Sequence, residues 1–367
     1  MRIPRDLHPG AWWCWAIGLA AGASSTTNPL VLSLLIAVAA VCVYACRGDQ
    51  PWSRSFRLYL WLAAVVLVVR VLFRILLGGN DAGHVLFTMP EIPLPDWAAG
   101  ISLLGPFSRE ELLAAIYEGL RLGALLLAVG AANALANPKR LMKSLPPALY
   151  EIGTAMVVAI TVLPQLADSA RRVRAAQQLR GGPGGRFARV RGLRRLLVPV
   201  LEDALERSMA LAAGMDTRGY GRTGDVSRAQ RRGTGALMVA GLLGICVGTY
   251  AFLDSSAPRL LAGPMLALGS LLAVLGFVVA GRRVRRTRYR ADRWRLPEVV
   301  VAISGVLVGV GLWAVQRWEY AVAHPGVQDV PEVSLLAVAS VLCGVVPVWV
   351  APPPLTVRSR ERLVVAA

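Results

Sequence analysis

Eight apolar runs govern what this chain can become: Ala11–Thr27, Leu30–Cys46, Arg57–Leu77, Glu111–Ala134, Gly235–Leu253, Arg259–Ala280, Pro297–Gln316 and Val333–Val350. A bilayer's hydrocarbon core is about 30 Å thick, which a helix of about 20 residues crosses. Backbone groups cannot be left unpaired there, so such runs fold as helices. The expectation is an all-α polytopic membrane protein with about eight transmembrane helices. The composition agrees. Charged residues make up 17% of the chain, against about 25% in a typical soluble domain. The first two runs are short and are split by Asn28-Pro29, a turn and helix-start signal. This predicts a tight helical hairpin, with one long kinked helix as the alternative.

Charge then orients the runs. Cytoplasmic loops of membrane proteins are rich in Lys and Arg. Arg2 and Arg5 place the N-terminus inside, and Arg47, Arg54 and Arg57 place the loop after the second run there too. Residues 78–108 carry Asp81, Glu91 and Asp96, with no Lys or Arg, and read as outside. Lys139, Arg140 and Lys143 read as inside, as do Arg282–Arg295 and the tail with Arg358, Arg360 and Arg362. The stretch 317–332, with Glu319, Asp329 and Glu332, reads as outside. One run resists this scheme. Pro147–Leu166 is apolar enough to cross, yet both flanks are basic. Residues 139–167 are therefore expected to form a helix lying in, or dipping into, the cytoplasmic leaflet, broken by Pro146-Pro147 at one end and Pro164 at the other.

The net charge of +18 has its centre between Arg171 and Arg232, where 15 arginines face 5 acids. Nucleic acid is one partner such a balance could serve, but no nucleic-acid motif is present. Attraction to anionic lipid at the inner face accounts for it more simply. Within this polar segment Leu193, Leu197, Leu201, Leu205, Met209 and Ala213 recur every four residues, an apolar stripe at helical period. Gly181-Gly-Pro-Gly-Gly185 interrupts it. Two amphipathic helices joined by a hinge are predicted, one ending at Arg180-Gly181 and the other at Arg218-Gly219. An arginine in the last turn and a glycine just beyond it suit any helix C-terminus. Their repetition on one segment suggests two helix tips, each able to present a guanidinium to a carboxylate in a partner's groove.

Other chemistry is sparse. His8, His84 and His324 are far apart, and neither a phosphate-binding loop nor an acid/base constellation occurs. No catalytic or metal-ligating residue is assigned, and the chain is not expected to hydrolyse ATP itself. Cys14, Cys42, Cys46, Cys246 and Cys343 all lie in apolar runs and read as buried small hydrophobes. Arg70, Arg74, Glu118 and Arg121 are charges within spans. Pairing to Glu118 offsets a cost of roughly 2.5–3.5 kcal/mol per charge at mid-bilayer. Gly18/Gly22, Gly119/Gly123, Gly244/Gly248 and Gly305/Gly309 have the four-residue spacing of close helix packing.

Several stretches resemble one family. His8-Pro-Gly-Ala-Trp12 with Asn28-Pro29-Leu30 is similar to its opening, and Asn133-Ala-Leu135 with Pro138 and Arg140-Leu141 to its middle. Leu163-Pro-Gln165, Arg171-Arg172 and Ala176-Gln-Gln-Leu-Arg-Gly181 resemble its first signature. Gly214-Met-Asp-Thr-Arg-Gly-Tyr-Gly221 resembles its second. The family is the transmembrane T component of energy-coupling factor (ECF) transporters, the CbiQ/EcfT family, and the resemblance covers about residues 8–222. Leu179 and Thr217 stand where that family usually has alanine.

The resemblance implies a non-catalytic scaffold in an ATP-driven importer of the inner membrane, with both termini cytoplasmic. Two cytoplasmic ABC ATPases would bind ATP and Mg, so this chain itself carries no cofactor. A small membrane subunit would capture a vitamin or metal ion. Arg180, Gly181, Arg218 and Gly219, with Gln177, Asp216 and Tyr220, would meet the ATPase grooves. The expected division is 1–137, membrane helices; 138–233, a cytoplasm-facing coupling segment; and 234–367, further membrane helices and a basic tail. The residues leave two other classes open, a lipid-modifying membrane enzyme and a lipid-bound structural scaffold.

Overall fold

The computed structural model describes residues 5–76, 84–88, 90, 92–93, 102–144, 149–179, 188–219, 227–254, 258–283 and 293–354. The chain forms two compact units, one comprising Met1–Leu141 with Asp292–Ala367, the other Met142–Ala291.

Local sequence sets the helix starts in the first unit. Helix α1 (Pro9–Ser24) begins where the His8 ring accepts the Gly10 N–H, with Pro9 in the first turn. Helix α2 (Pro29–Cys46) begins where the Asn28 carboxamide accepts the Leu30 N–H. A 3₁₀ turn (Pro51–Arg54) leads into α3 (Ser55–Leu76). Helix α4 (Arg109–Leu135) starts with a reciprocal Ser108/Glu111 capping box. Between α3 and α4, β1 (Val85–Thr88) pairs antiparallel with β4 (Pro106–Ser108), and β2 (Ile92–Pro93) with β3 (Ser102–Leu103). These strands were not expected. Phe87 stacks on Phe107 at 5.1 Å across the outer pair, the kind of aromatic pairing that supports short strands. A short α5 (Pro138–Lys143) closes the N-terminal part.

The C-terminal helices return to this same unit: α10 (Leu296–Trp318), α11 (Tyr320–Ala323), α12 (Leu335–Cys343) and α13 (Pro347–Val350). Helix α1 packs chiefly on α10 and α4, and α2 on α4. The two helices flanking Asn28 therefore exist as expected, but they hardly touch each other, so the predicted tight hairpin is corrected. Each finds a better partner elsewhere. On α1, Gly18 meets Gly305 of α10 backbone to backbone; a Cβ on Gly18 would lie 1.9 Å from the Gly305 carbonyl oxygen. Trp15 and Leu19 of α1, Leu32 and Val43 of α2, and Val301, Val308 and Leu312 of α10 fill the core. Polar clasps secure the ends. Asn28 Nδ2 donates to the Val322 and Glu332 carbonyls at 2.8 and 2.7 Å, and Thr26 Oγ1 to Ala323 O at 2.7 Å. Trp15 Nε1 donates to Gly344 O at 3.0 Å.

Helix α3 lies along α4, where Gly119 faces Leu67 and Gly130 the Tyr59 ring. Asn133 Nδ2 donates to Tyr59 Oη at 2.8 Å. Arg70 pairs with Glu118, Arg74 with Glu111 at 3.7 Å, and Arg121 bonds Ser24 O, so the charges within the spans are partnered. The remaining α3 surface is apolar and exposed, including Trp61, Val68 and Phe73, as suits a helix facing lipid. Cys42 and Cys46 are buried or half-buried against Gly344 and Pro347, but Cys14 and Cys246 are exposed, which corrects the expectation for those two.

The second unit holds α6 (Tyr150–Leu179), α7 (Ala188–Thr217), α8 (Arg228–Leu253) and α9 (Arg259–Arg283). Helices α8 and α9 form a hairpin on glycine contacts, with Gly244 against Gly269 and Gly248 against Leu266. Helix α6 runs unbroken through Pro164, which was expected to end it. A proline inside a helix costs about 3 kcal/mol in water, but an apolar setting holds the remaining backbone bonds together and hydroxyls nearby help. Thr161 Oγ1, one turn earlier, bonds the Val157 and Val158 carbonyls at 3.0 and 2.8 Å. Seven helices among the described residues are long and apolar enough to cross a membrane: α2, α3 extended from Trp52, α4, α6, α8, α9 and α10. Helix α1 is shorter at 16 residues, and the last apolar run is divided between α12 and α13.

Candidate functional site: the crossing of α6 and α7

The polar helices anticipated at 169–180 and 193–218 are the C-terminal part of α6 and most of α7. They meet at one polar point. Ser169 is 3% exposed, and its hydroxyl donates to Asp203 Oδ2 at 2.5 Å. Arg207, one turn on in α7, donates from Nε to Asp203 Oδ1 at 2.9 Å, and Arg172 of α6 lies 3.5 Å from Oδ2. One carboxylate thus gathers a hydroxyl and a guanidinium from α6 and α7 respectively, with a second guanidinium from α6. The Ser169 hydrogen bond, then Arg207 and Arg172, hold the Asp203 carboxyl below the usual carboxylate range, outweighing partial burial. Asp203 is therefore ionised at neutral pH.

This pin was missed in the sequence. The Asp203/Arg207 spacing of four was its only trace, since nothing in either helix alone reveals which residues cross.

Leu197, Leu201, Leu205 and Met209 form the predicted stripe, and each is exposed. At 1.5 Å per residue, the end of α7 lies about 22 Å along the helix from Asp203, and Leu179 about 15 Å from Ser169. Helix α7 ends as its sequence predicts. The Gly219 N–H bonds the Asp216 carbonyl at 2.9 Å, and Gly219 takes φ +74°, left-handed backbone that favours glycine. Arg218 and Asp216 are exposed at this tip, while Gln177 of α6 is half-buried. Among the described residues, no hydrogen bond or ion pair joins Gln177 to Asp216 or Arg218. Arg180, Gly181, Tyr220 and the hinge Gly181–Gly185 lie outside the described residues. Among those described, no cluster of His, Cys, Asp or Glu could hold a metal.

Fold and site together define a multi-pass helical membrane protein that carries a pair of crossed polar helices. Residues 2–228 match the profile of CbiQ, described as cobalt transport protein, and the chain belongs to that family. It is 26% identical over 191 residues to the energy-coupling factor transporter transmembrane protein EcfT of Leuconostoc gelidum subsp. gasicomitatum, covering 46% of this chain and 71% of that protein. It is 33% identical over 93 residues to the protein of the same name from Streptococcus equi subsp. equi, 24% of this chain and 34% of that one. The Macrococcus caseolyticus protein of that name is 31% identical over 103 residues, 27% and 38% of the two chains. The match thus spans most of the first relative and little more than a third of the other two. No solved structure matches.

Proposed function

We propose that this chain is the transmembrane scaffold of an ATP-driven ECF-type importer. Two cytoplasmic ABC ATPases bind ATP and Mg and close. The crossed helices carry that closure to a small membrane subunit that holds a vitamin or metal ion. The observation that supports this most is the pairing of a pinned crossing with an exposed helix tip. Arg218 stands at a C-terminus shaped by Gly219, about 22 Å along α7 from the Asp203 pin. A long arm fixed at one point and bare at its end suits the transfer of a partner's movement.

In this reading Arg180 and Arg218 each enter an ATPase groove and pair with a carboxylate. Gln177, Asp216 and Tyr220 support those contacts, with Gly181 and Gly219 allowing close approach. The exposed leucines of α7 meet the substrate-holding subunit, and the other arginines face anionic lipid at the inner face of the cell membrane, with both termini cytoplasmic. The chain performs no catalysis and binds no nucleic acid. The test is co-expression with the candidate ATPases and capture through a tag on this chain. Arg180→Glu and Arg218→Glu should each weaken ATPase recovery, and together they should abolish uptake.

A further inference from the structure

The family match ends at residue 228, yet α10 to α13 belong to the same compact unit as α1 to α4. One of their contacts with the N-terminal part lies at the start of α10. Glu298 is only 1% exposed, and its carboxylate takes both prongs of the Arg5 guanidinium, at 2.8 and 3.0 Å. It also accepts the Arg295 N–H at 3.2 Å, capping α10. Beside it, the His8 ring lies 5.3 Å from that of Trp294. The N-terminal segment is therefore held against α10 by a part-buried two-pronged ion pair and a ring contact.

The next residue continues the connection. Arg140 Nη1 donates to the Asp6 carbonyl at 2.9 Å. Arg140 sits in the first turn of α5, where Asn137 Oδ1 accepts the Lys139 and Arg140 N–H groups at 3.1 and 3.3 Å. Beyond α5 the chain runs on towards α6. Charge alone places Arg5, Arg140 and the Arg282–Arg295 stretch on one side of the membrane, and the contacts bring Arg5, Arg140 and Glu298 together there.

We propose that α10 is a built-in brace and that Glu298 is a positioning residue for coupling. Acting through Arg5 and Asp6, it fixes α5, the helix that precedes the crossed helices in the sequence. This rests on the coupling function proposed above. The chemistry favours a brace that needs both partners: a buried carboxylate stripped of its partner is costly, whereas the intact pair sets both guanidinium prongs on the carboxylate.

The experiment uses the full complex in vesicles and measures uptake and ATP hydrolysis per complex. Glu298→Gln keeps the shape and loses the charge; it should lower uptake about ten-fold while hydrolysis stays within about two-fold. Arg5→Gln should fall by the same factor, and the double variant no further, because the pair acts as a unit. Arg5→Lys keeps the charge but not the two-pronged contact and should lose less, about three-fold. Unchanged uptake in Glu298→Gln, or losses that multiply in the double variant, would overturn the brace.

A second arm needs no transport. With Cys14 and Cys246 replaced by serine and Asp6→Cys added, a maleimide should modify position 6 several-fold faster when Glu298→Gln is present. Equal rates overturn the proposal. If no ATPase accompanies the unaltered chain, the coupling function fails, and the labelling arm still decides the brace.

Discussion

The α1–α10 contact and the α6–α7 crossing are built in opposite ways. In the first, two glycines let backbones touch, Trp15, Leu19, Val308 and Leu312 fill the surroundings, and the sealed carboxylate is Glu298 at 1% exposure. In the second, one buried serine and one partly exposed carboxylate join two 30-residue helices on which Leu163, Leu179, Leu197, Leu201 and Leu205 are exposed. Close packing resists small changes because interiors have no slack. A single polar pin with open flanks leaves the helices free to respond to whatever covers them. The difference separates a closely packed part from a part whose apolar side chains are exposed.

The largest effect should fall on the closely packed part. A Cβ on Gly305 would stand 2.2 Å from Trp15 Cα, so Gly305→Val cannot fit without separating α1 from α10. Overpacking of this kind costs about 1–3 kcal/mol or more. Size-exclusion in detergent should show loss of the monodisperse species, whereas an added methyl at Gly214, which has open space around it, should not. If both behave alike, the contrast between the two regions is wrong.

A smaller effect is expected at the pin. Ser169→Ala and Asp203→Asn should each reduce uptake a few-fold and leave the chain folded. One lost hydrogen bond at a partly exposed site is a modest change, and folding measured by the same chromatography should be unaltered. The pH response sharpens this. Asp203 has a depressed pKa in the folded state, so its contribution is present above the ordinary carboxylate range and is lost as pH falls through the folded value. Hydrogen-exchange protection in α6 and α7, taken relative to the intrinsic rate at each pH, should thus be flat between about pH 5 and 8 and should fall only in stronger acid. Loosening near neutrality would mean another group holds the crossing.

The smallest effect is expected at Arg189 and Arg194, which the proposal assigns to lipid alone. Reversal at Arg189 or Arg194 removes attraction of about 1 kcal/mol per basic residue, and ATPase recovery should hardly change. If it falls as far as with reversal at Arg218, position is irrelevant and the segment is a lipid-bound scaffold.

Much of this was readable in the chain. Run length gave the membrane helices because hydrocarbon leaves the backbone no alternative. Asn28-Pro29 and Arg218-Gly219 marked helix ends through local rules that need no tertiary context. Partner choice was hidden. Periodicity shows that α1 has packing surfaces but not that Gly18 meets Gly305, almost 300 positions away. Pro164 misled because the breaker rule is calibrated in water. Ser169 and Glu298 look ordinary in sequence, and each matters only through a residue on another helix.

The central claim is that the arginine tips recruit ATPases by position. The direct measurement is the amount of ATPase captured with the chain when Arg180 and Arg218 are both changed to Glu, beside the Arg189→Glu, Arg194→Glu control of equal charge change. The account predicts loss of ATPase from the first and near-normal recovery with the second. Equal recovery from both would contradict it.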